Sequence, residues 1–151
     1  MKHQIKLSLF AAVMAFTLTS CEKDPAAPVI SDVEIGMNNS KTAVIGSDLH
    51  IDASILAEAK IARIILVIHP EGEGAHAPAQ KMMAVMNVEN HWEVDSTYTG
   101  KYADVKNIQF HEDLEIPDNI AAGAYHFELL VVDMLGQTNE YETEITLLAK
   151  P

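Results

Sequence analysis

The sequence predicts an all-β domain, a single antiparallel sandwich of seven or eight short strands. Three observations lead there. Short alternating or apolar runs recur along the chain with turn clusters such as Asn38-Asn39-Ser40 between them. β-Branched and aromatic residues enrich the two most apolar runs, Lys60 to His69 and Tyr125 to Asp133. The strand–helix–strand alternation that builds parallel sheets is missing. At 151 residues, 48% of them apolar, the chain has the length of one domain and enough apolar surface for a core.

The strands are preceded by a different kind of segment. Lys2, His3 and Lys6 form a basic start, and Leu7 to Leu18 is then mostly apolar. That run is short of the ~20 residues a spanning helix needs, and a basic start before a short apolar stretch is the pattern of a secretory signal peptide. Leu18-Thr19-Ser20-Cys21 resembles a bacterial lipobox. The resemblance implies a lipid on Cys21, which would become the first residue of a mature chain of 151 − 20 = 131 residues. Cys21 is the one cysteine, so no disulfide within the chain is expected. Glu22-Lys23-Asp24 resembles the export signal of surface lipoproteins, and Pro25-Ala26-Ala27-Pro28 suits an extended spacer. The expected organisation is a signal peptide at 1–20, a lipidated Cys and tether at 21–28, and the sandwich at 29–151. The expected place is the bacterial outer membrane, at the cell surface, with the lipid on Cys21 as the contact to the membrane.

The elements follow in order. Pro28 to Met37 fits a first strand. Leu49 to Ile55 alternates cleanly, with Leu49, Ile51, Ala53 and Ile55 against His50, Asp52 and Ser54, the period of a half-buried strand. Ala57 to Lys60 suits a single helical turn. Lys60 to His69 is apolar on both faces and predicts a central strand. Pro70 to Pro78 has loop composition. Met82 to Val88 and Trp92 to Tyr98 are further strand candidates. Ile108 to Ile116 alternates with one polar residue, Glu112, out of place. Tyr125 to Asp133 predicts a second central strand, and Tyr141 to Leu148 the last.

Ile116-Pro117, Gly123-Ala124-Tyr125 and a strand ending at Asp133 resemble the tyrosine corner of fibronectin type III and related Ig-like domains. On that mapping Tyr125 is a structural corner residue whose ring points inward, carrying Phe127, Leu129 and Val131 with it. His126, Glu128, Leu130 and Val132 then face outward. On the neighbouring strand Ala62, Ile64, Leu66 and Ile68 point in, and Arg63, Ile65, Val67 and His69 point out. The two strands run antiparallel, so His69 and His126 are expected side by side at one end of the outer face.

These histidines form the one constellation that suggests chemistry. The loop after His69 carries Glu71, Glu73 and His76 back toward the same end. Imidazoles and carboxylates together suit Zn²⁺ or Cu²⁺, so His69, His76 and His126 with Glu71 and Glu73 are the candidate metal ligands. His111 lies on the preceding strand, within reach of that end though its sheet partner is left open, and His50 and His91 are expected elsewhere. Methionines 82, 83 and 86 suit core filling better than soft-metal ligation. The outer face at Ile65, Val67, Leu130 and Val132 is apolar enough to need cover, from the segment Met82 to Tyr98 or from a partner.

Composition excludes other classes. Ten basic against 22 acidic residues give a formal charge of −12, which argues against nucleic acid as a partner. No G-x-S-x-G, H-E-x-x-H or paired-cysteine pattern occurs, so an enzyme is not expected.

Taken together, Ile68-His69, Trp92, Ile116-Pro117, Gly123-x-Tyr125-His126-Phe127 and Asp133-x-x-Gly136 resemble an uncharacterised family of Bacteroidetes lipoproteins, the domain-of-unknown-function family numbered 4625. The likeness runs over about residues 28–148. Histidines in the loop after the first central strand, dense in that family, imply metal binding; this chain keeps His76 there beside Glu71 and Glu73. The expected function is a non-enzymatic binding or accessory module of the cell envelope, working with an envelope protein partner. The alternative is a divalent-metal-binding lipoprotein.

Overall fold

The computed structural model describes residues 24–71 and 91–151. Within them are eight strands: β1 (Val29–Ile35), β2 (Thr42–Val44), β3 (Asp48–Leu56), β4 (Ile61–Pro70), β5 (Val94–Tyr98), β6 (Asn107–Glu115), β7 (Gly123–Asp133) and β8 (Thr138–Leu148). They form two sheets, β1-β3-β6 and β2-β8-β7-β4-β5, the arrangement of an Ig-like sandwich. No helix among the described residues is long and apolar enough to cross a membrane.

Alternation decides the layers. In β3, Leu49, Ile51, Ala53 and Ile55 are fully buried while His50 and Asp52 face outward. In β7, Tyr125, Phe127, Leu129 and Val131 are buried, and in β4, Ile64, Leu66 and Ile68. These side chains meet between the sheets, and each stabilises the fold by roughly 1.5–3 kcal/mol relative to its exposed form. The Tyr125 hydroxyl donates to the Ala121 carbonyl at 2.9 Å and closes the corner before β7. Trp92 packs beside it, ring centroids 6.5 Å apart.

Several expectations are corrected. Val132 is buried rather than outward, and Ala62 is half-exposed while Ile61 is fully buried. A register shift between Ile61 and Arg63 is the cause: the extra residue breaks the alternation at the end of the β4–β7 ladder. β2 was not expected. Its three residues pair with β8 in parallel, so one short edge ladder departs from the antiparallel pattern. Ala57 to Lys60 is a hydrogen-bonded turn, Lys60 N–H to Ala57 C=O at 3.0 Å, that carries the chain from one sheet to the other. Val94 to Tyr98 extends the large sheet beside β4 and does not fold over its face. The leader at 1–20, Cys21 and the strand candidate Met82 to Val88 lie outside the described residues.

Glu112, the polar residue out of place, points toward the core side of β6 between Phe110 and Leu114. Its carboxylate lies 2.6 Å from the Tyr102 hydroxyl and 2.9 Å from Lys101 Nζ. Partial burial pushes its pKa up, but these two donors outweigh that and hold it below the ordinary carboxylate range. Tyr102 also lies 2.7 Å from the His111 carbonyl and packs against Phe110 with the rings tilted by 50°, so it pins β6 from the inside.

Asp133 is the one charged residue counted in the buried core of the described residues. Its carboxylate accepts from the Leu135 and Gln137 backbone N–H groups at 2.9 and 2.8 Å, and from Gln137 Nε2 at 3.1 Å. That satisfies it and builds the β7–β8 turn, where Gly136 supplies the positive φ of 81°.

Candidate functional site

The ladder between the two central strands places His69 directly opposite His126. Their rings lie on the outer face of the large sheet with centroids 5.0 Å apart and planes tilted by 30°. His69 Nδ1 sits 3.0 Å from the Pro70 carbonyl, which engages that nitrogen and leaves Nε2 for other partners. Both imidazoles are half-buried.

The carboxylates that join His126 are Glu128 and Glu142. One donor atom from each of the three lies within 4.8 Å of the others. Alternation explains the grouping. Glu128 is two residues beyond His126 on the same face, and Glu142 stands directly opposite Glu128 on β8. Two carboxylates opposed across a ladder repel, and among the described residues neither has a salt-bridge partner. A cation placed between them relieves that repulsion. Glu71 is exposed, and its backbone N–H donates to the Ala124 carbonyl at 3.0 Å, tying the end of β4 to the start of β7. Glu73 and His76 lie outside the described residues.

A second group lies on the outer face of the small sheet. β3 and β6 pair His50 with Asp113 and Asp52 with His111. The four side chains make a two-by-two pattern in which each imidazole faces a carboxylate. His50 Nδ1 is 2.9 Å from Asp113 Oδ1, and His111 Nδ1 is 3.2 Å from Asp52 Oδ2. The rings themselves are 5.1 Å apart at 64°. The hydrogen bond from His50 is the main reason the Asp113 carboxyl is held below its ordinary pKa. Sequence reasoning missed this group because it set His111 within reach of His69 and His126 and His50 elsewhere, whereas β6 pairs with β3 in the other sheet. The signal was available: His50 and Asp52 share one strand face, and so do His111 and Asp113.

The sequence matches the family described as "Domain of unknown function (DUF4625)" over residues 18–148, and the chain belongs to that family. No curated protein matches it. Among solved structures it is similar to a superoxide reductase (neelaredoxin) from Ignicoccus hospitalis, with 12% identity, 82% of each chain covered and a TM-score of 0.43. It is also similar to a Niemann-Pick type C2 protein from Japanese carpenter ant, with 9% identity, 83% of this chain and 95% of that one covered, and a TM-score of 0.46.

Proposed function

We propose that this chain is an envelope-anchored, non-enzymatic binding module whose ligand is a divalent metal ion of the Zn²⁺ or Cu²⁺ type. The ion is held on the outer face of the large sheet by His126, Glu128 and Glu142, with His69 beside them. The supporting observation is the convergence of one imidazole and two carboxylates, neither in a salt bridge among the described residues, within 4.8 Å, with a second imidazole ring 5.0 Å from the first. Nitrogen and oxygen donors in that mix suit borderline divalent ions. The formal charge of −12 favours cation capture. His76, Glu71 and Glu73 follow His69 in sequence and are the residues that would complete the shell.

The anchor is the lipid on Cys21, inferred from the basic start, the short apolar run and Leu18-Thr19-Ser20-Cys21. The module then stands at the outer membrane beside an envelope protein partner. Labelled fatty acid incorporated by the chain and absent from Cys21→Ala tests the anchor.

Calorimetric titration of the untagged chain with Zn²⁺, Cu²⁺ and Ni²⁺ tests the metal. Binding at micromolar affinity or tighter (about −8 kcal/mol) is expected, with one equivalent lost in His69→Gln/His126→Gln. Unchanged stoichiometry in that variant would contradict the reading.

A further inference from the structure

We infer that the outer face of the small sheet is a second, independent transition-metal site, formed by His50, His111 and Asp113 and positioned by Asp52. It does not rest on the site proposed at His126, because the two groups lie on opposite outer faces of the sandwich.

The donor spacing carries the inference. Zinc holds nitrogen and oxygen ligands at about 2.0–2.2 Å, so neighbouring donors of a tetrahedral shell lie ~3.3 Å apart. Asp113 Oδ1 is 2.9 Å from His50 Nδ1, and Asp113 Oδ2 is 3.5 Å from His111 Nε2. One donor atom from each of the three residues lies within 4.8 Å of the others. These are near-ligating distances without any change of backbone. The ion takes the place of the proton between His50 Nδ1 and Asp113, and the neutral ring binds it through Nδ1 as the tautomer that carries its single proton on Nε2.

Asp52 does the orienting. Its Oδ2 faces His111 Nδ1 at 3.2 Å, and its Oδ1 accepts from the Gln109 amide. A proton held on Nδ1 by that carboxylate turns the Nε2 lone pair toward Asp113. A carboxylate fixing a histidine this way is the recurring outer partner of metal-bound imidazole. Charge agrees: two carboxylates and two neutral imidazoles carry −2, which a divalent cation neutralises. Two nitrogen donors select a borderline ion such as Zn²⁺ over Ca²⁺ or Mg²⁺. Three protein donors leave a coordination position open for water or a further ligand.

The test is equilibrium dialysis of the full, untagged chain against Zn²⁺, with bound metal measured by atomic emission. The variants are His50→Gln/His111→Gln, His69→Gln/His126→Gln, their combination, and Asp52→Asn. Circular dichroism melts in chelator confirm that each is folded. The inference predicts that His69→Gln/His126→Gln keeps one equivalent, that His50→Gln/His111→Gln removes it, and that Asp52→Asn weakens it by about 10–100-fold. Asp113→Asn, which keeps the side-chain volume, is a second way to remove it should the double variant fail to fold. Zinc binding that survives His50→Gln/His111→Gln unchanged, or that is abolished by His69→Gln/His126→Gln alone, would overturn it. If the site proposed at His126 is wrong, the pattern differs: His69→Gln/His126→Gln binds like the parent while His50→Gln/His111→Gln loses its metal, which upholds this site.

Discussion

The two outer faces of the sandwich carry histidines in opposite settings. On the large sheet His69 and His126 stand imidazole against imidazole, half-buried, with the carboxylates one row away on β7 and β8. On the small sheet each imidazole already faces a carboxylate across the ladder, and His111 and Asp113 are exposed. The first arrangement has repelling acids that a cation would join. The second has satisfied pairs that a cation must enter by displacing a proton. The difference teaches that register, more than residue type, decides which histidines and carboxylates a strand pair brings together. It predicts different behaviour without metal: the small-sheet group contributes to the stability of the empty chain, and the large-sheet group contributes little or opposes it.

The strongest perturbation of that comparison comes from beneath the small sheet. Phe110 is fully buried under β6, and Phe110→Ala is expected to cost about 3–5 kcal/mol in chemical denaturation. It should loosen both faces, since the core is shared. Next is metal itself. Zn²⁺ at a hundred times the dissociation constant of one site should raise the unfolding free energy by about 2.7 kcal/mol, and by twice that where both sites fill. A melt with and without Zn²⁺, repeated in each double variant, separates the two contributions.

Tyr102→Phe sharpens the comparison further. It removes the hydroxyl that sits 2.6 Å from Glu112 and 2.7 Å from the His111 carbonyl, at an expected cost of about 1–3 kcal/mol. Because Tyr102 pins β6 behind His111, zinc at the small-sheet site should weaken while the His126 site keeps its affinity. Two-site calorimetric fits check this.

The smallest effect concerns pH. Asp113 has a folded pKa below its unfolded value, so its pairing contributes stability above the unfolded aspartate range near ~3.9. That contribution is lost as pH falls through the lower folded value. Acid melts of Asp113→Asn below about pH 4 should therefore show a shallower decline than the parent.

Much of this was legible in the chain. Clean alternation at Leu49 to Ile55, and Gly123-x-Tyr125 after Ile116-Pro117, were enough to place β3 and β7. They also oriented β4 so that His69 meets His126. What alternation cannot show is which strands become neighbours when they are far apart in sequence. His50 and Asp113 are 63 residues apart, and their contact depends on the β3–β6 register. The register shift at Ile61/Arg63 was likewise invisible, because an extra residue in one strand leaves the apolar pattern readable in two ways. β2 was missed because three residues are too few to display a period. Glu112 looked like an error in the pattern until Tyr102 and Lys101, 10 and 11 residues earlier, supplied its donors.

The most direct test of the metal capture proposed for these faces is an NMR titration of the imidazole C–H resonances with Zn²⁺. Resonances of His126 and His69 should shift or broaden together, and those of His50 and His111 as a separate pair, while His91 stays unchanged. Zinc that moves none of the four, or moves His91 alone, would contradict the account.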